Sequence, residues 1–162
     1  MSIVAGLCQL CYDEAMKKTK ILFTGGGTGG HLFPIIAVVR EIRRLSDNPA
    51  IHFYYIGPKD RLALVSLSQE GFKTYNITSG KIRRYFSFKN VIDILFKIPI
   101  SFIQSFFLVL FIQPQLVFSK GGSGSAVVCL AANILGIPIF LHESDTVPGQ
   151  SNRLAYRWAK KT

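Results

Sequence analysis

The stretch Ile21-Leu22-Phe23-Thr24-Gly25-Gly26-Gly27-Thr28-Gly29-Gly30-His31-Leu32-Phe33-Pro34 decides how this chain is read. A short apolar run, the pattern of a buried strand, enters a turn with five glycines among six residues. A histidine and a proline follow, and an apolar stripe at helical spacing (Ile35, Val38, Val39, Ile42, Leu45) comes after them. Backbone without side chains at the start of a helix lets a phosphate approach closely. Its N–H groups point at the anion, and the helix dipole adds favourable potential. Pro34 is expected to open the helix, because its missing N–H would be unpaired there.

Outward from that turn, strand, turn and helix alternate. Strands are expected at Lys20–Thr24, Ile51–Ile56, Phe72–Ile77, Leu116–Ser119 and Ile137–Leu141. Helices are expected from Pro34, at Asp60–Glu70, Phe88–Phe111 (broken or kinked at Pro99), Ala126–Leu135 and Gly149–Ala159. The alternation predicts a parallel sheet with helices on both faces. Ligands of such sheets bind beyond the carboxyl ends of the strands. The glycine turn, a second glycine-rich turn at Lys120–Ser125 and the pair His142-Glu143 each follow a predicted strand, so they should gather on one rim.

The chain has 162 residues, 49% hydrophobic and 17% charged, which excludes a disordered chain. Its net charge of +10 favours anionic partners such as phosphates, acidic lipids or nucleic acid. The basic residues are scattered and carry no reading motif, so nucleic acid is not expected as a partner. Cys8 and Cys11 have C-x-x-C spacing without a second pair, and no metal or redox role is assigned to them. Cys129 lies in an apolar run, consistent with a reducing compartment. Residues 1–19 are expected to form a loose N-terminal extension.

The first turn lacks the Gly-Lys-Ser/Thr of a Walker A loop. It fits the loose G-x-G-x-x-G fingerprint, but the second strand ends Tyr55-Ile56-Gly57, with no acidic residue for a ribose, so an NAD site is disfavoured. The turn is either a phosphate cradle or a tight bend that needs small residues. The second turn adds the hydroxyls of Ser123 and Ser125 and, beside the first, suits a diphosphate. His31 is either a general base for a sugar hydroxyl or a brace for its turn. His142-Glu143 is either a cleft pair or a brace for the next loop. Lys81, Arg83 and Arg84 form either a solvated loop or a contact with anionic head groups, worth about 1 kcal/mol per basic residue near the surface. Ile98–Ile112, with Phe102 and Phe106, is shorter than the roughly 20 residues that span a bilayer. It is either a sheet-covering helix or a membrane-docking patch.

Taken together, Gly26-Gly27-Thr28-Gly29-Gly30-His31-x-x-Pro34, Gly121-Gly122 and Leu135-Gly136-Ile137-Pro138 leading into His142-Glu143 resemble the MurG family. These are the peripheral membrane glycosyltransferases of peptidoglycan synthesis. The resemblance covers about Lys20 to Lys161. It implies a GT-B fold, of which this chain would be the N-terminal, acceptor-binding, Rossmann-like half over 20–162. It implies transfer of N-acetylglucosamine, with inversion, from UDP-N-acetylglucosamine to lipid I, giving lipid II. No cofactor is implied beyond that donor substrate.

By position, the resemblance makes His31 the candidate base and Thr28, Gly29 and Gly30 cleft residues. Gly121, Gly122, Ser123, His142, Glu143, Asp145 and Asn152 fall on substrate-binding positions. Lys81, Arg83, Arg84, Phe102 and Phe106 would meet an anionic membrane on its cytoplasmic face. Two places depart from the family pattern. Ser144-Asp145 stands where Gln-Asn is usual, and an ionised aspartate accepts but does not donate. Ser123 stands where tyrosine is usual. A donor-binding half is expected to lie outside these residues, so the chain alone should have little or no transferase activity. The alternative is a non-catalytic, membrane-docking subunit of a split GT-B enzyme.

Overall fold

The computed structural model describes residues 19–26, 28–46, 50–79, 96–144 and 148–160. The first strand, β1 (Thr19–Gly25), is buried along nearly its whole length and lies at the centre of a five-stranded sheet. β2 (Ile51–Pro58) and β3 (Lys73–Ile77) stack on one side of it, β4 (Leu116–Gly121) and β5 (Ile139–Leu141) on the other, in the order β3-β2-β1-β4-β5. All four pairings are parallel. The chain thus builds outward from β1 to one edge and then crosses back to β4. The point where the order reverses lies between β1 and β4.

Alternate residues of β1 face opposite layers. Ile21 and Phe23 pack beneath α1 (Gly29–Leu45) and α2 (Arg61–Gln69), with Leu32, Ile35, Val39, Ala63 and Leu67. Phe23 is fully buried there, with the rings of Phe53, Phe72 and Phe118 centred 6.1, 5.5 and 5.4 Å away. Leu22 faces the other layer, made by α3 (Ile98–Ile112), α4 (Ser125–Ile134) and α5 (Gln150–Ala155) with a final 3-10 turn, Tyr156–Trp158. Cys129 is sealed in that layer, and burial pushes its thiol up to about 12. The expected parallel sheet with helices on both faces is the observed one.

Two details differ from the sequence reading. Helix α1 begins at Gly29, five residues before Pro34, so His31 lies in its first turn. Thr28 is the extended N-cap residue, and its carbonyl accepts from the N–H groups of His31 and Leu32. Pro34 sits inside the helix, one turn past its start, where it has no N–H to give to the carbonyl of Gly30. Pro99 occupies the first turn of α3, and the residues just before it, 96–97, are already helical. Finally, β4 runs on through Lys120 and Gly121, so the second glycine turn starts inside the sheet. The N-terminal extension, Cys8 and Cys11, the basic loop with Lys81, Arg83 and Arg84, the first half of the expected helix at Phe88–Phe111, and Asp145 lie outside the described residues.

Replacing Phe23 by alanine should remove about 3–5 kcal/mol of stability, read as a lower urea midpoint. A loss under about 1 kcal/mol would contradict the placement of this ring at the centre of the upper core.

Candidate functional site

The two glycine turns meet. The N–H of Gly26 donates to the carbonyl of Gly121 at 2.8 Å, just past the register shift between Thr24 and Gly25 where β1 leaves β4. Close approach explains why side chains are missing. A Cβ on Gly122 would lie 2.5 Å from the Gly26 nitrogen, and one on Gly121 would lie 2.6 Å from Asn152 Oδ1. Gly121, Gly122 and Gly124 all have left-handed backbone, with φ of 87°, 94° and 87°. From below, the buried Tyr55 hydroxyl donates to the Gly25 carbonyl at 2.9 Å. Desolvation, helped by Asp60, pushes that phenol above its ordinary range.

His31 lies across both turns. A Cβ on Gly26 would come 2.6 Å from its Cδ2, and one on Gly122 would come 3.1 Å from its Nε2. Its Nδ1 is buried and has no partner among the described residues. Helices α1 and α4 both begin at this junction; the His31 N–H is taken by the Thr28 carbonyl and the Ser125 N–H reaches the Gly122 carbonyl at 3.4 Å, while the N–H groups of Gly29 and Gly30 have no acceptor among the described residues.

The third part of the rim follows β5. His142 is fixed by its own N–H, which donates to the Ser119 carbonyl at 2.8 Å, and its ring stacks on Phe118 at 6.1 Å. Burial is the main cause holding this imidazole below its ordinary pKa. Lys120 pushes in the same direction and Glu143 opposes it. The Glu143 carboxylate accepts from the N–H of Ser144 (3.0 Å), the N–H of Gly149 (3.1 Å) and Asn152 Nδ2 (2.9 Å). It thereby ties the loop after β5 to the start of α5. Asn152 is buried, and its Oδ1 has no partner among the described residues. Ser151 Oγ and Ser125 Oγ both donate to the Gly122 carbonyl, at 2.8 and 2.9 Å.

Of the residues singled out in the sequence, Thr28, Gly29, Gly30, His31, Gly121, Gly122, Ser123, His142, Glu143 and Asn152 therefore share one rim. The structure adds Tyr55, Lys120, Ser144 and Ser151. Lys120 carried a sequence signal: a lysine ending an apolar strand run directly before Gly-Gly. Tyr55, Ser144 and Ser151 carried none, since their contacts cross between elements.

Phe102 and Phe106 are half-buried against the lower core. The exposed side chains of α3 are Ile100, Ile103, Phe107, Leu110 and Phe111, the last two aromatics 63% and 78% exposed. The buried stripe of this helix is Ser101, Ser105, Val109 and Ile112. Ser101 and Ser105 thus face inward beside Val109 and Ile112, while five large apolar side chains face outward. Among the described residues, no helix is long and apolar enough to cross a membrane.

The sheet order and the paired turns at the switch point define a Rossmann-like α/β domain. Over residues 21–162 the chain matches the family model for the glycosyltransferase family 28 N-terminal domain, and it belongs to that family. It is 43% identical over 146 residues to the UDP-N-acetylglucosamine--N-acetylmuramyl-(pentapeptide) pyrophosphoryl-undecaprenol N-acetylglucosamine transferase of Streptococcus mutans, covering 89% of this chain and 39% of that one. The enzyme of the same name from Borrelia turicatae is 39% identical over 145 residues, with the same coverage. The chain therefore spans about two fifths of the length of these relatives. Its fold is similar to that of MurG from Acinetobacter baumannii, with a TM-score of 0.69 and 24% identity over 88% of this chain and 40% of that one.

Two outcomes follow from the geometry. Gly122→Ala should destabilise the fold by at least the ~1–3 kcal/mol of a non-glycine residue in strained backbone, since its Cβ also meets backbone. A midpoint unchanged in urea would contradict the close approach of the turns. For His142 the folded pKa is lowered, so the unfolded chain takes up the proton first as pH falls. Its contribution is complete above about 6.5 and is lost as pH drops through that value towards the folded one. Between about pH 7.5 and about pH 5.5 the wild type should lose more stability than His142→Gln. An equal loss would contradict the depressed value.

Proposed function

We propose that this chain is the acceptor-binding part of a transferase that moves N-acetylglucosamine from UDP-N-acetylglucosamine to the lipid-linked muramoyl peptide of cell-wall synthesis. The observation that carries this reading is the convergence of two glycine turns, two helix N-termini and His31 at one junction. The names of the relatives supply the substrates. The chemistry at the junction suits the anionic part of a lipid diphosphate. Backbone N–H groups at Thr28–Gly30 and Gly122–Ser123 would grip its phosphoryl oxygens, and the helix dipoles would favour the charge.

In this reading the acceptor hydroxyl attacks the anomeric carbon of the donor sugar. The His31 imidazole takes the hydroxyl proton, the bond to UDP breaks, and the configuration inverts. Glu143 and Asn152 work as a pair: the carboxylate fixes the amide, and the amide oxygen is left to accept from a sugar hydroxyl. The donor nucleotide would be held mainly by a second half.

The outward apolar face of α3 supports a peripheral seat on the cytoplasmic face of the cell membrane, where a lipid-borne acceptor resides. Lys81, Arg83 and Arg84 would add attraction to anionic lipids.

Two measurements test the reading. In a full-length protein carrying this segment, His31→Ala should lower kcat by about 100-fold or more with a smaller change in KM. Near-normal turnover would remove His31 as the base. Phe107→Ser with Phe111→Ser should weaken sedimentation with anionic vesicles at least fivefold and leave the fold intact, because both rings are exposed. Unchanged vesicle binding would place the membrane contact elsewhere.

A further inference from the structure

Lys120 is a charged side chain in an unusual place. It is the next-to-last residue of β4, it precedes the Gly121–Gly122 turn, and it is 3% exposed. Taking an ammonium out of water costs several kcal/mol unless an opposite charge or several acceptors receive it. Among the described residues no carboxylate lies within ion-pair distance of Lys120. The nearby carboxylate, Glu143, is engaged with the N–H groups of Ser144 and Gly149 and with the Asn152 amide. Among the described residues, the hydrogen-bond acceptor of Lys120 is a neutral hydroxyl, Ser144 Oγ, at 2.9 Å. An ammonium has three donors, so this contact leaves most of its capacity unused.

The direction of the side chain is fixed by that contact. Ser144 is exposed and belongs to the loop that closes the rim after β5, so the buried stem of Lys120 delivers its charge to the rim itself. His142, on the same loop, feels that charge.

We propose that the Lys120 ammonium is the cation that pairs with the diphosphate of the substrate at the glycine turns, with Ser144 as its resting partner. The inference rests on the reading of those turns as a diphosphate site and assigns them their counter-charge. The cost of the buried ammonium is then offset on binding, when an anion arrives beside it. Glycine turns supply oriented dipoles and no net charge. Lys120 supplies the net charge and makes affinity sensitive to salt.

The test is a titration of the 162-residue chain with inorganic pyrophosphate, followed by NMR at the amides of Gly29, Gly30 and Ser123, at His142 and at the Lys120 Nζ. Binding should move the amides and the Lys120 signal with one saturation curve. It should also raise the His142 pKa, because the added anion offsets the Lys120 charge while Glu143 stays in place. Lys120→Met should weaken binding at least tenfold and flatten its salt dependence, and Lys120→Arg should recover part of the affinity. Should Lys120→Met fail to fold, the wild-type Lys120 signal decides. If the amides shift while the Lys120 signal stays still, or if Lys120→Met holds pyrophosphate within twofold of wild type, the Lys120 assignment falls and the turns keep their role. If no signal at either turn responds, the diphosphate reading falls and Lys120 falls with it.

Discussion

The hydrogen bond from Gly26 N–H to the Gly121 carbonyl is the contact on which the rest depends. It closes the gap where the sheet order reverses, the one place at which two strand-to-helix turns leave neighbouring strands in opposite directions around the sheet. Only backbone fits there: a Cβ on Gly122 would overlap the Gly26 nitrogen, and one on Gly26 would overlap the His31 ring. The same absence of side chains that permits the contact leaves N–H groups of two helix starts open on the rim. The packing constraint and the capacity for an anion thus have one cause.

Around that contact, support comes from distinct layers. The Tyr55 hydroxyl holds the first turn from the sheet, and Ser125 and Ser151 hold the second from α4 and α5. The Glu143 carboxylate draws the β5 loop towards α5. Such bracing keeps the turns in place, which is what a preformed anion site needs. Lys120 is the exception to neutral bracing. Its charge is buried against a hydroxyl and so remains available to a ligand.

The fold was legible because β1 and its turn are local features. The apolar run Ile21–Phe23, the five glycines and the helical stripe from Ile35 each lie within a few residues, and the strand-helix alternation does the rest. The start of α1 was misread because Pro34 is a strong opening signal, whereas Thr28 as an extended N-cap and two glycines in the first turn outweigh it. Periodicity could not orient α3, since both of its faces are apolar: it buries Val109 and Ile112 beside Ser101 and Ser105 and exposes Phe107, Leu110 and Phe111. For the site, the glycines, His31 and His142-Glu143 stood out as short motifs. Tyr55, Ser144 and Ser151 did not, because their roles arise from contacts between distant parts of the chain.

The most direct measurement is a crystal structure of the protein with a water-soluble, short-chain muramoyl lipid diphosphate. The account requires both phosphoryl groups to sit at the junction of the turns, about 3 Å from backbone nitrogens at Thr28–Gly30 and at Gly122–Ser123. A diphosphate bound clear of either bend, with the Gly26–Gly121 junction empty above, would contradict it.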